Sequence, residues 1–223
     1  MGLLDQLTHE ANAKRNAQSV DMDRLRQQTR LLDEKMKLVL TYFEQFGQQC
    51  EVLQRESKGV FELPGFGTGF KDLKLTHFRT IQRAKEFDGA EVFHFVQLSY
   101  LHKGDYQLHL DLRALNMRKP IEDRIHSAAL KYSFYERFDE HGNAAGGRYT
   151  VDADVYAVVR CTVMTETAQI HFYLKNIEGF ETERFICHVS ELSSELLDSV
   201  GKYILGLDRQ FKRRLSLALS DPD

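Results

Sequence analysis

Proline is scarce in this chain, and its three positions, Pro64, Pro120 and Pro222, leave two long stretches untouched. Proline removes a backbone donor and breaks helices and central strands. Everything before residue 64 is therefore open to a long helix, and the stretch from 120 to 222 suits a continuous sheet followed by a helix. Cysteine is as rare: Cys50, Cys161 and Cys187 lie far apart, each in an apolar register. Neither a disulfide framework nor a zinc site has the paired spacings it needs, so the cysteines read as reduced core residues in a cytoplasmic protein.

Charge of one sign is missing as well. The formal net charge is −3 and the pI is near 6.3, so no global field draws the chain to nucleic acid or to anionic lipid. No apolar run reaches the length of a membrane span, and no charged start precedes a signal-like stretch. Met1-Gly2 opens like a myristoylation site, but Gln6 stands where serine or threonine is required. The phosphate-binding and nucleophile signatures are absent too. Gly65-Phe66-Gly67-Thr68-Gly69 has neither the spacing of a dinucleotide loop nor a following Gly-Lys-Ser/Thr, and no Gly-x-Ser-x-Gly elbow occurs. Lys212-Arg213-Arg214 is a local basic spot near a helix C-terminus, where it meets the helix dipole. None of the nine histidines falls in a helical metal-binding frame. No cofactor, metal or catalytic residue is implied.

What is present is a seam. Apolar residues recur at alternating three- and four-residue steps through Met22, Leu25, Thr29, Leu32, Met36, Val39, Phe43, Phe46, Cys50 and Leu53, with one threonine among them. That spacing keeps one side of an α-helix apolar. Projected backwards it meets Gln18, Arg15 and Thr8, so the packed interface begins near Met22. Leu40 and Tyr42 widen the stripe in its middle, beyond what a two-stranded coiled coil uses. The half from Met36 to Leu53 is expected on the chain's own sheet, and the N-terminal half projects or pairs with another copy. Met22, Leu25, Leu32, Met36, Val39, Phe43 and Phe46 are the candidate interface.

From about Val60 to Val189 the chain reads as strands. Leu101-His102-Lys103-Gly104-Asp105-Tyr106 has the look of a two-residue hairpin turn. In that register one face gathers His94, Tyr100, His109, Asp111 and Arg113, with His94 beside Arg113 and Tyr100 beside Gln107. A histidine, a carboxylate and a phenol together suit acid–base work or anion binding. The segments 128–138 and 148–165 are joined by the glycine-rich tip from His141 to Gly147. Val155, Ala157, Val159, Cys161 and Val163 then alternate with polar neighbours. Turns at Glu166-Thr167 and Glu178-Gly179 set Val163 opposite Ile170, Cys161 opposite Phe172 and Val159 opposite Leu174, and return Phe185 and Cys187 to the same dry face. The reverse face carries a row of Arg160, Tyr173 and Arg184, either an anion site or a plain cation–π ladder. Ser190 is the expected N-cap of a C-terminal helix with Leu192, Leu196, Val200, Tyr203, Ile204 and Leu207 inward. Gly206 breaks it, and a short restart runs through Phe211, Leu215 and Leu219.

The fold expected is α+β: a long N-terminal helix over residues 1–55, then over 56–223 an antiparallel sheet of six to eight strands closed by a C-terminal helix, forming one domain with the second half of the first helix. The pattern leaves open whether the sheet is flat, curled or a barrel. The function expected is non-enzymatic: a binding or assembly protein that self-associates or docks on a protein partner through its first helix. The alternative is a small-molecule or anion binder with a pocket between curved sheet and C-terminal helix. A hydrolase or isomerase using His109 and Asp111 ranks third.

Overall fold

In a computed structural model, residues 2–63, 69–113 and 115–217 are described. Most of the glycine loop near Pro64, and Leu219 of the expected last helix, lie outside them. Helix α1 (Leu3–Leu53) is a single element of 51 residues, about 76 Å long at 1.5 Å per residue. Glutamine, lysine, arginine, leucine and methionine dominate it, all good helix formers. The seam divides it sharply. Thr29, Leu32, Met36, Val39, Phe43 and Cys50 are buried, while Met22 and Leu53, the two ends of the expected seam, are exposed. The helix thus docks from Thr29 to Cys50, Leu25 and Gln28 just before it are half-buried and Arg26 binds Asp88, and about six turns ahead of these are exposed among the described side chains.

Strands β1 (Lys74–Phe87) and β2 (Ala90–Leu112) follow as an antiparallel pair. After a 3-10 turn over Leu115–Met117 come α2 (Arg118–Ser127), β3 (Tyr132–Phe138), β4 (Ala144–Met164), β5 (Gln169–Lys175) and β6 (Thr182–His188). Helices α3 (Ser194–Ile204) and α4 (Gln210–Arg214) and a two-residue β7 (Ser216–Leu217) complete the described chain. The sheet is open, in the order β1-β2-β4-β5-β6-β7, with β3 also on β4. Strands β2 and β4 form its spine, paired from Phe95↔Thr162 down to Leu112↔Gly147. On the other edge of β4, β5 takes the upper half and β3 the lower.

The expected hairpin at residues 101–106 is not there. Strand β2 runs straight through it for 23 residues, because β4 is long enough to offer partners on both sides of the glycine. The Lys-Gly-Asp signal instead marks a bulge: Lys103 lies opposite Asp154 and Gln107 opposite Asp152. Three residues on β2, 104 to 106, thus oppose one on β4, Ala153, and because two residues are extra the alternation survives and the same face stays inward. The expected meander holds in register, with Val163↔Ile170, Cys161↔Phe172, Val159↔Leu174, Phe172↔Phe185 and Ile170↔Cys187. Nothing in the apolar pattern announces helix α2, since only Ile125 of its ten residues is buried.

Two cores share the inward face. The upper one packs Leu32, Met36, Val39 and Phe43 of α1 and Leu196, Val200 and Tyr203 of α3 onto Leu98, Val159, Phe172 and Phe185. The lower one sets Phe61, Phe70, Ile125 and Leu130 against Leu112, Tyr149, Val151 and Val155. Two glycines let α1 settle. A Cβ on Gly47 would stand 3.2 Å from Phe78 Cβ, and one on Gly201 of α3 would stand 2.4 Å from Tyr42 Oη.

Polar groups of α1 also fasten the sheet where its ladder is broken. Strands β1 and β2 shift register between Thr76 and Arg79 and again between Arg83 and Ala84. The Phe78 N–H donates to Glu51 Oε2 at 3.0 Å, and the Phe93 N–H donates to Asp33 Oδ1 at 3.2 Å. Arg26 holds Asp88 in the β1–β2 turn at 2.7 Å, and Lys35 Nζ donates to the Leu192 carbonyl at 2.7 Å.

The N-cap of α3 is Ser193, whose Oγ accepts from the Leu196 N–H at 3.3 Å, not Ser190. Ser190 is occupied in a turn with His188 Nδ1 at 2.7 Å. The helix stops before Gly206, which takes a φ of +64°, and Leu207 is exposed beyond it. No helix among the described residues is long and apolar enough to cross a membrane.

Phe43→Ala should cost about 3–5 kcal/mol in urea unfolding, the usual loss for a fully buried aromatic. Val20→Ala, on the standing half of the same helix and 69% exposed, should change stability by less than about 0.5 kcal/mol. Equal losses at the two sites would contradict the division of α1 into a docked and a standing half.

Candidate functional site

The hairpin-based patch comes apart with the hairpin. Tyr100 is fully buried in the upper core, its ring stacked on Phe78 at 5.0 Å, and its hydroxyl finds no partner among the described residues. Burial pushes that hydroxyl's pKa far up. Tyr100 lies opposite Ala157, not Gln107. His94 sits in the β2 bulge, half-buried, its ring edge-on to Phe95 at 5.6 Å, while Arg113 lies just past the opposite end of the strand. The two are not neighbours.

His109 and Asp111 do share the outward side of the lower sheet, but they take different partners. His109 Nδ1 lies 3.1 Å from Thr150 Oγ1. Both Asp111 oxygens accept from Arg148, at 2.8 and 3.0 Å, and Arg137 adds a further bond. The hydrogen bond from Arg148, with Arg137 beside it, holds the Asp111 carboxyl below the ordinary range. A carboxylate clamped by two guanidinium groups does not orient a histidine, so the acid–base pair has no geometric support.

The third row is assembled as the alternation predicts. Arg160 lies opposite Tyr173, and Tyr173 opposite Arg184. Arg160 Nε donates to Gln97 Oε1 at 2.8 Å, and its guanidinium sits 4.8 Å above the Phe95 ring. Because β4 sends Val159 and Cys161 into the core, Arg160 must face the other way. No other element covers this side among the described residues.

The candidate interface on α1 divides in the same manner. Leu32, Met36, Val39 and Phe43 are buried, and Phe46 half-buried, within the chain's own upper core. They serve this fold and are not offered to a partner. Met22, and in part Leu25, remain open. They continue the buried stripe outward along a helix whose earlier turns are exposed among the described side chains.

Two polar clusters have no counterpart in the sequence pattern. His102, expected on the surface, is buried under the Phe61 ring at 4.6 Å. Its Nε2–H donates to the Asn176 carbonyl at 3.0 Å, leaving Nδ1 to accept from the Ser57 hydroxyl at 2.7 Å. Ser57 Oγ in turn accepts from the Gly59 N–H at 3.1 Å. The connectivity is that of a nucleophile, base and orienting group. Burial, however, lowers the His102 pKa to about 4, too weak a base for proton abstraction near neutrality. The cluster ties the segment after α1 to the sheet. Its signal is invisible in sequence, since Ser57 lies in an aperiodic stretch 45 residues away.

The second cluster fastens α4. The Tyr203 hydroxyl donates to Glu183 at 2.6 Å, Lys212 Nζ reaches Glu183 at 2.6 Å and Glu178 at 2.9 Å, and Arg209 reaches Glu178 at 2.7 Å. Two carboxylates and two cations cancel, leaving no charge for a ligand. The space between sheet and α3, where a pocket is the alternative expectation, is filled by Phe172, Phe185, Tyr203 and Phe211. Two clefts, of about 530 and 400 Å³, flank α1 instead, beside Phe78 and Phe93. Among the described residues no three histidine, cysteine, aspartate or glutamate side chains converge as metal ligands. No protein-family model, curated protein or solved structure matches this chain.

The pH dependence of stability isolates His102. Its folded pKa lies below the ordinary 6.5, so the unfolded chain binds the extra proton as pH falls. Stability is complete above pH 6.5 and drains away towards pH 4, by about 3 kcal/mol. Urea unfolding of wild type and His102→Gln between pH 7 and pH 4 should show that loss in the wild type alone. Parallel curves would mean that His102 takes up its proton equally in both states.

Proposed function

We propose that this chain is a non-enzymatic assembly protein that pairs with a second copy of itself through the standing half of α1. One observation carries the reading: a 51-residue helix whose second half is docked and whose side chains ahead of Leu25 are exposed among the described residues. An isolated helix in water draws most of its stability from packing an apolar face. Leu7, Ala11, Met22 and Leu25 lie within a narrow sector on the side that becomes the buried stripe further along. Leu7 is 51% and Met22 38% exposed. The side that α1 buries against the sheet therefore continues outward, with Gln18 between Ala11 and Met22, and is exposed ahead of Leu25 among the described residues.

Charge favours a second copy over a charged partner. Residues 2–28 carry Asp5, Glu10, Asp21 and Asp23 against Lys14, Arg15, Arg24 and Arg26, so the segment is electrically neutral and complementary to itself. An antiparallel pairing that sets Leu7 against Leu25 and Ala11 against Met22 brings Glu10 of one copy towards Arg24 of the other. Opposite charges beside such a seam set partner and orientation.

Sedimentation of the full chain at high micromolar concentration should give twice the single-chain mass of 25.9 kDa. The double change Leu7→Asp with Met22→Asp should return one chain mass with the urea midpoint unchanged, since neither residue belongs to the core. A wild-type chain that sediments as one copy at that concentration would refute the reading.

A further inference from the structure

The outward face of the upper sheet is electrically unlike the rest of the molecule. Between the row containing Lys103 and Asp154 and the row containing Arg83, Phe95 and Thr162, the registers place Arg79, Arg83, Lys103, Arg160, Lys175 and Arg184 on one side of five strands. Asp154 and Glu56, which is bridged to Lys74 in the same row, are the carboxylates on that side, and none of the six cations forms an ion pair among the described residues. On the lower half of the same side, by contrast, Arg148 and Arg137 both pair with Asp111. In a chain of net charge −3, an unneutralised basic face means that charge has been segregated.

Aromatic rings stand among these cations. Phe95, Tyr156 and Tyr173 point to the same side, and Tyr156 is 42% exposed. Among the described residues the covering helices all lie on the opposite face, so the larger outward side chains of the strands form the surface here, over a buried Gln97, Ser99 and Val158. Six unpaired cations call for a polyanion. Phosphate or sulfate groups alone give the rings nothing to do, whereas unpaired bases stack on them and their phosphates meet the arginines and lysines. Duplex nucleic acid keeps its bases stacked on one another and cannot use the rings.

We infer that this face binds single-stranded nucleic acid, with Tyr173 and Tyr156 as stacking platforms and Arg83, Arg160 and Arg184 on the phosphate backbone. The reading is independent of self-association, since the face lies on the sheet and not on α1.

Fluorescence anisotropy of the full chain with short labelled single-stranded DNA and RNA oligonucleotides tests it. Binding should appear at low salt and fall steeply as salt rises. The double change Arg83→Glu with Arg184→Glu should weaken it at least about tenfold and flatten the log–log salt slope by about 0.7 for each phosphate that is no longer neutralised. Tyr173→Leu, and separately Tyr156→Leu, should each weaken it by about tenfold, with circular dichroism and thermal unfolding checking that each variant is folded. Heparin and anionic vesicles serve as competitors. No salt-sensitive binding of either oligonucleotide would overturn the inference. So would duplex bound as tightly as single strand, or folded tyrosine variants that bind as wild type, which would mean a surface for polyanions of any kind.

Discussion

The architecture depends on how α1 lies across the inward face of β1 and β2. A twisted sheet with two register breaks leaves backbone donors that the ladder does not satisfy, and such groups are costly when shielded from water. Glu51 takes the Phe78 N–H and Asp33 takes the Phe93 N–H. These two carboxylates are five turns apart on one helix, about 27 Å, so a rigid rod spans the distance between the breaks. Met36, Val39 and Phe43 fill the interval between them, with Leu32 just before it. Apolar burial supplies most of the attraction, and the polar bonds set the position of the helix along the strands. Slide α1 by one turn and the stripe still finds apolar surface, but both N–H groups lose their acceptors.

That clasp explains why the sheet can be both long and divided. Strand β4 pairs with β2 along nearly its whole length yet has two successive partners on its other edge, β3 below and β5 above. Each half carries its own core, one closed by α1 and α3, the other by α2 and the segment after α1. The join lies at the bulge opposite Ala153, and His102 sits beside it with bonds to Ser57 on one side and Asn176 on the other. A buried neutral imidazole is suited to this place because it presents one donor and one acceptor in fixed directions.

Sequence patterns were legible where one face of an element is dry and the other wet. The β4–β6 meander obeyed that rule residue by residue, because a slip of one position would turn Val159, Cys161 and Phe172 to water. The pattern failed where local chemistry and long-range pairing compete. Lys103-Gly104-Asp105 is a turn signal within its own neighbourhood, but a 21-residue partner strand converts it into a bulge, and with the hairpin went the grouping of Tyr100, His94 and Arg113. Helix α2 carries too few buried side chains to impose a helical period. The seam of α1 was legible in extent, though not in how its length divides between body and solvent, since Met22 and Met36 look alike in sequence and differ only in what lies opposite. The row of Arg160, Tyr173 and Arg184 survived because it rests on the same alternation as the core behind it.

Net charge misleads about a surface whenever the fold sorts residues by face. Every second residue of a strand that buries valine or phenylalanine must point outward, so the composition of those alternate positions is invisible in a sum over the chain. Here the alternates of β4, β5 and β6 include Arg160, Lys175 and Arg184, while acids such as Glu183 fall on the inward side and are neutralised by Lys212. The helix α1 draws its own acids, Asp33 and Glu51, into bonds with the strand backbone. Asp33, Glu51 and Glu183 are thus engaged on the inward face, while Arg160, Lys175 and Arg184 stand on the other. The helices that must cover the core all lie on the side away from those cations, so the demand for a packed interior itself leaves the basic face bare.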